Sequence, residues 1–267
     1  MMDVNQIKEE LLNDESAIGK EIAEFMISFT ACLLAVDASG SHVALAGTGT
    51  FVTIDGSHFI LTANHVWTEK LERASYLMIP LTEGAKNSFN IPVKTIDATA
   101  LPRNRTYSEW GPDLVLLRIP SAFVGTIKSR RTFYNLATSH SRSIAADHLD
   151  CWILMGTPAE FGVFAGNHAD VLLMGMLAFA TKDCEKGGWD CIDVPVSLTK
   201  RSLPKDFGGV SGGGLWKLNV FWSEESNRVD WTYELAGVSF YQLPVEANAT
   251  LIRCNGQNAI EELTKFV

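Results

Sequence analysis

Gly208-Gly209-Val210-Ser211-Gly212-Gly213-Gly214-Leu215-Trp216 is the stretch on which the reading of this chain turns. A serine among this many glycines, entering an apolar strand, is unusual as mere structure. Glycine lets the backbone take positive φ and lets another chain approach closely. It also lets successive N–H groups converge on one point, as stabilisation of an oxyanion requires. The plain alternative is a glycine-rich hairpin turn with an incidental serine.

Residues 209–213 also fit G-x-S-x-G, the nucleophile elbow of α/β-hydrolases, in which the histidine follows the serine. The six histidines are His42, His58, His65, His140, His148 and His168, and all precede Ser211. Chain order therefore rejects that fold. A serine hydroxyl is a weak nucleophile and needs a base within reach. His65, in His58-Phe59-Ile60-Leu61-Thr62-Ala63-Asn64-His65-Val66-Trp67, lies at the exit of an apolar strand with small residues ahead of it. His148, between Asp147 and Asp150, is the fallback base. Asp113, in Trp110-Gly111-Pro112-Asp113-Leu114-Val115-Leu116-Leu117-Arg118, stands at the mouth of another apolar strand. It is the candidate carboxylate to orient the imidazole.

The remaining sequence is strand-rich. FTACLLAV, HVALAGTGTFVTI, HFILTA, YLMIP, FNIPVKTI, DLVLLRI, HLDCWILMG, DVLLMGMLAFAT, CIDVPVSL, GGLWKLNVF and YELAGVSFYQ alternate with turn residues. Helical spacing occurs at the two ends. Ile7, Leu11, Ile18, Ile22 and Phe25 predict one or two helices over residues 3–26, with Asp14 and Ser16 as N-cap candidates; Asn258 to Phe266 predicts another. Many short strands between terminal helices favour antiparallel barrels over βαβ units.

A net charge of −9 argues against a nucleic-acid partner, because phosphate binding rests on Lys and Arg. Lys128, Arg130 and Arg131 read as a solvated loop. Five cysteines, Cys32, Cys151, Cys184, Cys191 and Cys254, form no CxxC pair and cannot all pair within one chain; buried thiols in a reducing cytosol are expected. The acidic N-terminus is unlike a signal peptide, and the apolar run 25–36 is too short to span a bilayer. The expectation is a soluble cytoplasmic protein.

The T-A-x-H-V around His65, the D-L-V-L-L from Asp113 and the G-x-S-G-G around Ser211 resemble the three signatures of trypsin/chymotrypsin-type serine proteases, in that family's order. The resemblance covers about residues 29–267. It implies an all-β fold of two antiparallel six-stranded barrels, about 29–135 and 136–255, with an N-terminal helical arm at 1–28 and a C-terminal helix at 256–267. It implies a catalytic triad of His65, Asp113 and Ser211, and an oxyanion hole from the N–H groups of Gly209 and Ser211. By matching position Ser239 would support Asp113, and the strand Ser239-Phe240-Tyr241 would pair with substrate, with Tyr241 narrowing the pocket entrance. Lys205 or Asp206 would floor the primary pocket, favouring acidic or basic P1 residues respectively.

No cofactor or metal is implied, and the expected partners are a protein or peptide substrate and a regulator gripping the N-terminal arm. Val210 departs from the family, for many secreted relatives carry an aspartate there that pairs with a new N-terminus after zymogen cleavage. The chain is similar in this respect to intracellular bacterial trypsin-like proteins, some of which cleave a neighbouring effector in defence or stress pathways. The competing expectation is a catalytically inactive or latent protease-fold binding module.

Overall fold

The computed structural model describes residues 2–13, 15–81, 88–101, 112–137, 147–166, 168–199 and 203–267. In chain order the elements begin with α1 (Val4–Leu12), α2 (Ala17–Ile27), β1 (Thr30–Val36), β2 (Val43–Ile54), β3 (Ser57–Thr62), β4 (Tyr76–Pro80) and β5 (Ser88–Pro92). Next come β6 (Asp97–Ala100), β7 (Val115–Arg118), α3 (Ser121–Lys128), β8 (Tyr134–Asn135), β9 (Leu149–Gly156), β10 (Val163–Ala165) and β11 (His168–Asp170). The chain continues with β12 (Met174–Ala178), β13 (Lys182–Lys186), β14 (Trp189–Ser197), β15 (Gly214–Ser223), β16 (Arg228–Gln242), β17 (Ala249–Asn255) and α4 (Gln257–Thr264).

The fold is all-β with short helices, as expected. The first sheet runs β5-β4-β1-β2-β3-β7-β6, with β8 added in parallel to β2; the second runs β12-β9-β15-β16-β17-β14-β13. Strand numbers thus differ from six and six. Among the described residues both pairing paths are open, so each sheet is a curled half-barrel, and β10–β11 form a separate hairpin.

The near-continuous apolar runs have a direct cause, because successive side chains of a strand point to opposite faces. In β3 and β7, Phe59, Leu61 and Leu116 enter the core shared by the two sheets, while Ile60, Val115 and Leu117 fill the interior of the first sheet. In β9 and β15, Cys151, Ile153, Met155, Trp216 and Leu218 face the shared core, and Leu154 and Leu215 face the second sheet's interior. Both faces are dry, so both must be apolar.

The N-terminal helices belong to that shared core. Ile7 and Leu11 of α1 and Ile22 and Met26 of α2 are buried in it, beside Ala259, Ile260 and Leu263 of α4. They are therefore integral packing. Asp3 caps α1 with a capping box and Ser16 caps α2 by accepting from the Gly19 N–H at 3.0 Å, while Asp14 lies outside the described residues. Phe29, just after α2, packs its ring 5.2 Å from Trp216 and 6.2 Å from Tyr134, which joins the N-terminus to both sheets. Helix α3 was not expected from the sequence. It follows Pro120, and three residues past its end the half-buried Arg131 donates to the Ile27 and Pro80 carbonyls at 3.1 and 3.4 Å rather than lying in solvent. Among the described residues no helix is long and apolar enough to cross a membrane.

Phe29 is 2 % exposed, so Phe29→Ala opens a cavity that neighbours on two sheets and α2 cannot refill. A loss of about 3–5 kcal/mol is expected, read as a lower urea midpoint at unchanged m-value. A midpoint equal to wild type would show that this aromatic junction does not carry the fold.

Candidate active site

Strand β3 ends where the Thr62 hydroxyl turns back to donate to the Thr48 carbonyl at 2.6 Å. The chain then bends through Ala63 and Asn64 into His65, which precedes a tight turn whose Val66, Trp67 and Leu71 are buried. That anchor leaves the His65 ring on the surface side, with its side chain 26 % exposed. Asp113 precedes β7, the neighbour of β3, and so arrives beside His65.

Both oxygens of Asp113 are engaged. Oδ2 lies 2.5 Å from His65 Nδ1, and Oδ1 accepts the His65 backbone N–H at 2.9 Å. This fork fixes ring and main chain together, so Nδ1 carries the proton toward the carboxylate and Nε2 presents its lone pair outward. The main chain of Asp113 is gripped as well. Its N–H donates to Asn255 Oδ1 at 3.2 Å, and its carbonyl accepts from Asn255 Nδ2 at 3.3 Å and the Asn64 N–H at 3.2 Å. Asn255 lies at the end of β17, in the other sheet. Sequence reasoning missed it, because nothing local marks an asparagine 142 residues away as a partner of Asp113.

The serine comes from the loop between Phe207 and β15. Ser211 is half-buried, and its carbonyl accepts the Thr48 N–H at 2.9 Å. Gly209 and Gly212 both take φ of +90°, a region that side chains disfavour. A Cβ on Gly209 would also stand 2.5 Å from Leu45 Cδ2 and from the Thr157 carbonyl oxygen. Glycine is required at that position on both counts. Among the described residues neither the Gly209 nor the Ser211 N–H has an acceptor, although their neighbours Val210, Gly212 and Gly213 all donate. Two donors without acceptors, two residues apart, are what an oxyanion site requires.

Gly47 brings histidine and serine segments together. The space its side chain would fill is taken by Val66 methyls on one side, at 2.7 and 2.9 Å, and the Ser211 carbonyl oxygen on the other, at 2.9 Å. Gly212 abuts Thr62 and Ala63 in the same way. Among the described residues no hydrogen bond joins Ser211 Oγ to His65. Catalytic hydrogen bonds are often long in unliganded proteins and tighten only with substrate.

Several sequence expectations are corrected. The Ser239 hydroxyl does not reach Asp113; it faces the Val210 and Gly213 carbonyls at 2.9 and 3.2 Å, because β16 runs against the serine loop. The other two residues of that strand are not at odds with their expectation: Phe240 is buried in the first sheet's core, and Tyr241 is exposed. Lys205 and Asp206 are exposed rather than set in a pocket floor. Their N–H groups donate to Glu160 Oε2 at 2.7 and 3.1 Å, and Asp206 Oδ1 accepts from the Gly208 N–H, so a local turn holds them outward. His148 pairs with Asp150 at 3.4 Å. It stands before β9, roughly 25 Å along that strand from Gly156, which touches Val210. His140, Trp110 and Gly111 lie outside the described residues.

No family model matches the chain, and no curated protein matches it. Among solved structures 137 chains match. One comes from a structure titled "Aromatic interactions drive the coupled folding and binding of the intrinsically disordered Sesbania mosaic virus VPg protein", at 15 % identity and a TM-score of 0.42, covering 86 % of this chain and 92 % of that one. A likeness of that size supports no functional statement.

Cysteine nucleophiles are disfavoured by burial. All five thiols are free, and burial pushes Cys32 and Cys151 from an ordinary 9.0 up to about 12. Among the described residues no three potential ligands cluster to hold a metal. The raised thiols make a pH prediction. The folded state keeps its protons to higher pH than the unfolded chain, so stability is intact below pH 9 and declines above it, by about 1.4 kcal/mol per pH unit for each thiol. Thermal melts should be flat from pH 7 to 8.5 and fall steeply beyond 9. A melting temperature constant to pH 11 would contradict the burial of these thiols.

Proposed function

We propose that the protein is a serine endopeptidase of the trypsin/chymotrypsin type, with Ser211 as nucleophile, His65 as general base and Asp113 as orienting carboxylate. The observation that carries the proposal is the two-point grip of Asp113 on His65 beside a loop whose Gly209 and Ser211 N–H groups lack acceptors. The substrate carbonyl oxygen would take those two donors. His65 Nε2 would accept the hydroxyl proton as Oγ attacks, then return it to the leaving amine, and water would hydrolyse the ester by the same route. Asp113 stabilises the imidazolium that forms in between. Extended substrate would pair with the edge of β16 beyond Ser239, where the ladder with β15 has ended.

Neither Lys205 nor Asp206 supports a charged primary pocket, so we expect selection by main-chain pairing and apolar contacts. The five free thiols support a reducing compartment, and we place the protein in the bacterial cytoplasm as a regulated peptidase with few protein substrates. A second reading, a latent or non-catalytic binding module, is favoured by one observation: Ser211 Oγ makes no bond to His65.

A fluorophosphonate probe separates the two. Wild-type protein should be phosphonylated on Ser211, Ser211→Ala not at all, and His65→Ala more slowly by at least about 1,000-fold. Asp113→Asn should lower turnover by about 10,000-fold, because the imidazole is then held in the wrong tautomer. Labelling that persists in Ser211→Ala, or an inert wild type, would favour the binding module.

A further inference from the structure

The four carbonyls of residues 208–211 are each held from outside or across the loop. Ala159 N–H donates to Gly208 O at 2.7 Å, and the Thr48 hydroxyl to Gly209 O at 2.7 Å. Gly213 N–H donates to Val210 O at 2.9 Å, and Thr48 N–H to Ser211 O at 2.9 Å. A peptide group is planar and trans, so fixing one carbonyl fixes the N–H of the next residue in the opposite direction. The Gly208 and Val210 carbonyls therefore aim the Gly209 and Ser211 N–H groups. The peptide between them, Gly209–Val210, sets the angle from one donor to the other, and the hydroxyl on its carbonyl comes from Thr48.

Thr48 is suited to this task. It sits in β2 of the opposite sheet and is fully buried. Its hydroxyl accepts the Thr157 N–H at 2.9 Å while donating to Gly209, so its hydrogen has one direction open to it. Pinned by Ala159 on the near side and Thr48 on the far side, Gly209 is kept at its positive φ. Val210 seals the arrangement by packing against Gly156, where no side chain fits.

We infer that Thr48 is a positioning residue of the oxyanion hole, its hydroxyl holding the Gly209 peptide so that both donors face one point. The inference rests on the peptidase reading above.

The test is the second-order rate of fluorophosphonate labelling at Ser211, with its pH profile, in wild type, Thr48→Val and Thr48→Ser. Thr48→Val keeps the volume and removes the hydroxyl, and should slow labelling by about 10- to 100-fold with the acid-side midpoint of the profile unmoved. Thr48→Ser restores the hydroxyl and should return the rate to within about three-fold of wild type. Should Thr48→Val fail to fold, Thr48→Ala is measured in its place, with the same slowing expected. A valine or alanine variant labelling at the wild-type rate, or a serine variant slowed as much as valine, overturns the inference alone. A shifted acid-side midpoint also overturns it, because the hydroxyl would then be acting on His65. A wild type that does not label at Ser211 overturns the peptidase reading, and the inference falls with it.

Discussion

The candidate site depends on each sheet holding the main chain of the other's candidate residue. Asp113 belongs to the first sheet, yet Asn255 of the second clasps its main chain at 3.2 and 3.3 Å. Ser211 belongs to the second, yet Thr48 of the first takes two carbonyls of its loop. Each such bond contributes only about 1 kcal/mol to stability. Their importance is geometric, since hydrogen bonds tolerate a few tenths of an ångström. The spacing of the two sheets must be held to that tolerance, and the shared core does so. Phe29, Tyr134 and Trp216 fill the junction with rigid rings from three separate stretches of chain.

This division of labour explains what was legible in the sequence. His65, Asp113 and Ser211 each sit in a short signature, because the strand end or glycine loop presenting them is local. The strand texture was legible for a related reason: both faces of β7 and of the central parts of β3 and β9 are buried, so residues such as Phe59–Leu61, Val115–Leu117 and Ile153–Met155 read as short unbroken apolar runs. The spacing of Ile7, Leu11 and Ile22 marked helices. It could not distinguish a surface strap from a structural wedge, since one apolar face serves either purpose. The burial of all four core-facing residues, Ile7, Leu11, Ile22 and Met26, decides for the wedge.

What stayed hidden is long-range. Thr48 reads as one β-branched residue in a strand, and its contact with Gly209, 161 residues away, appears only in the folded chain. The resemblance implies Lys205 or Asp206 as a pocket floor, but position along the chain cannot register Glu160, which accepts both of their backbone N–H groups. Ser239 was assigned to Asp113 by position along the chain. Its hydroxyl has nearer acceptors in Val210 and Gly213, and it serves the serine's side of the site instead.

The Asn255 clasp also bears on how the molecule is made. Asn255 ends the last strand, so the Asp113 main chain lacks this support until nearly every strand has been synthesised and β17 has paired with β14 and β16. Pairings this distant close slowly, because loop entropy must be overcome before the contacts form. On the ribosome the first sheet can gather its own interior early, but its carboxylate waits for a partner from the far end of the chain. The main-chain clasp on Asp113 is therefore among the last contacts the chain can complete.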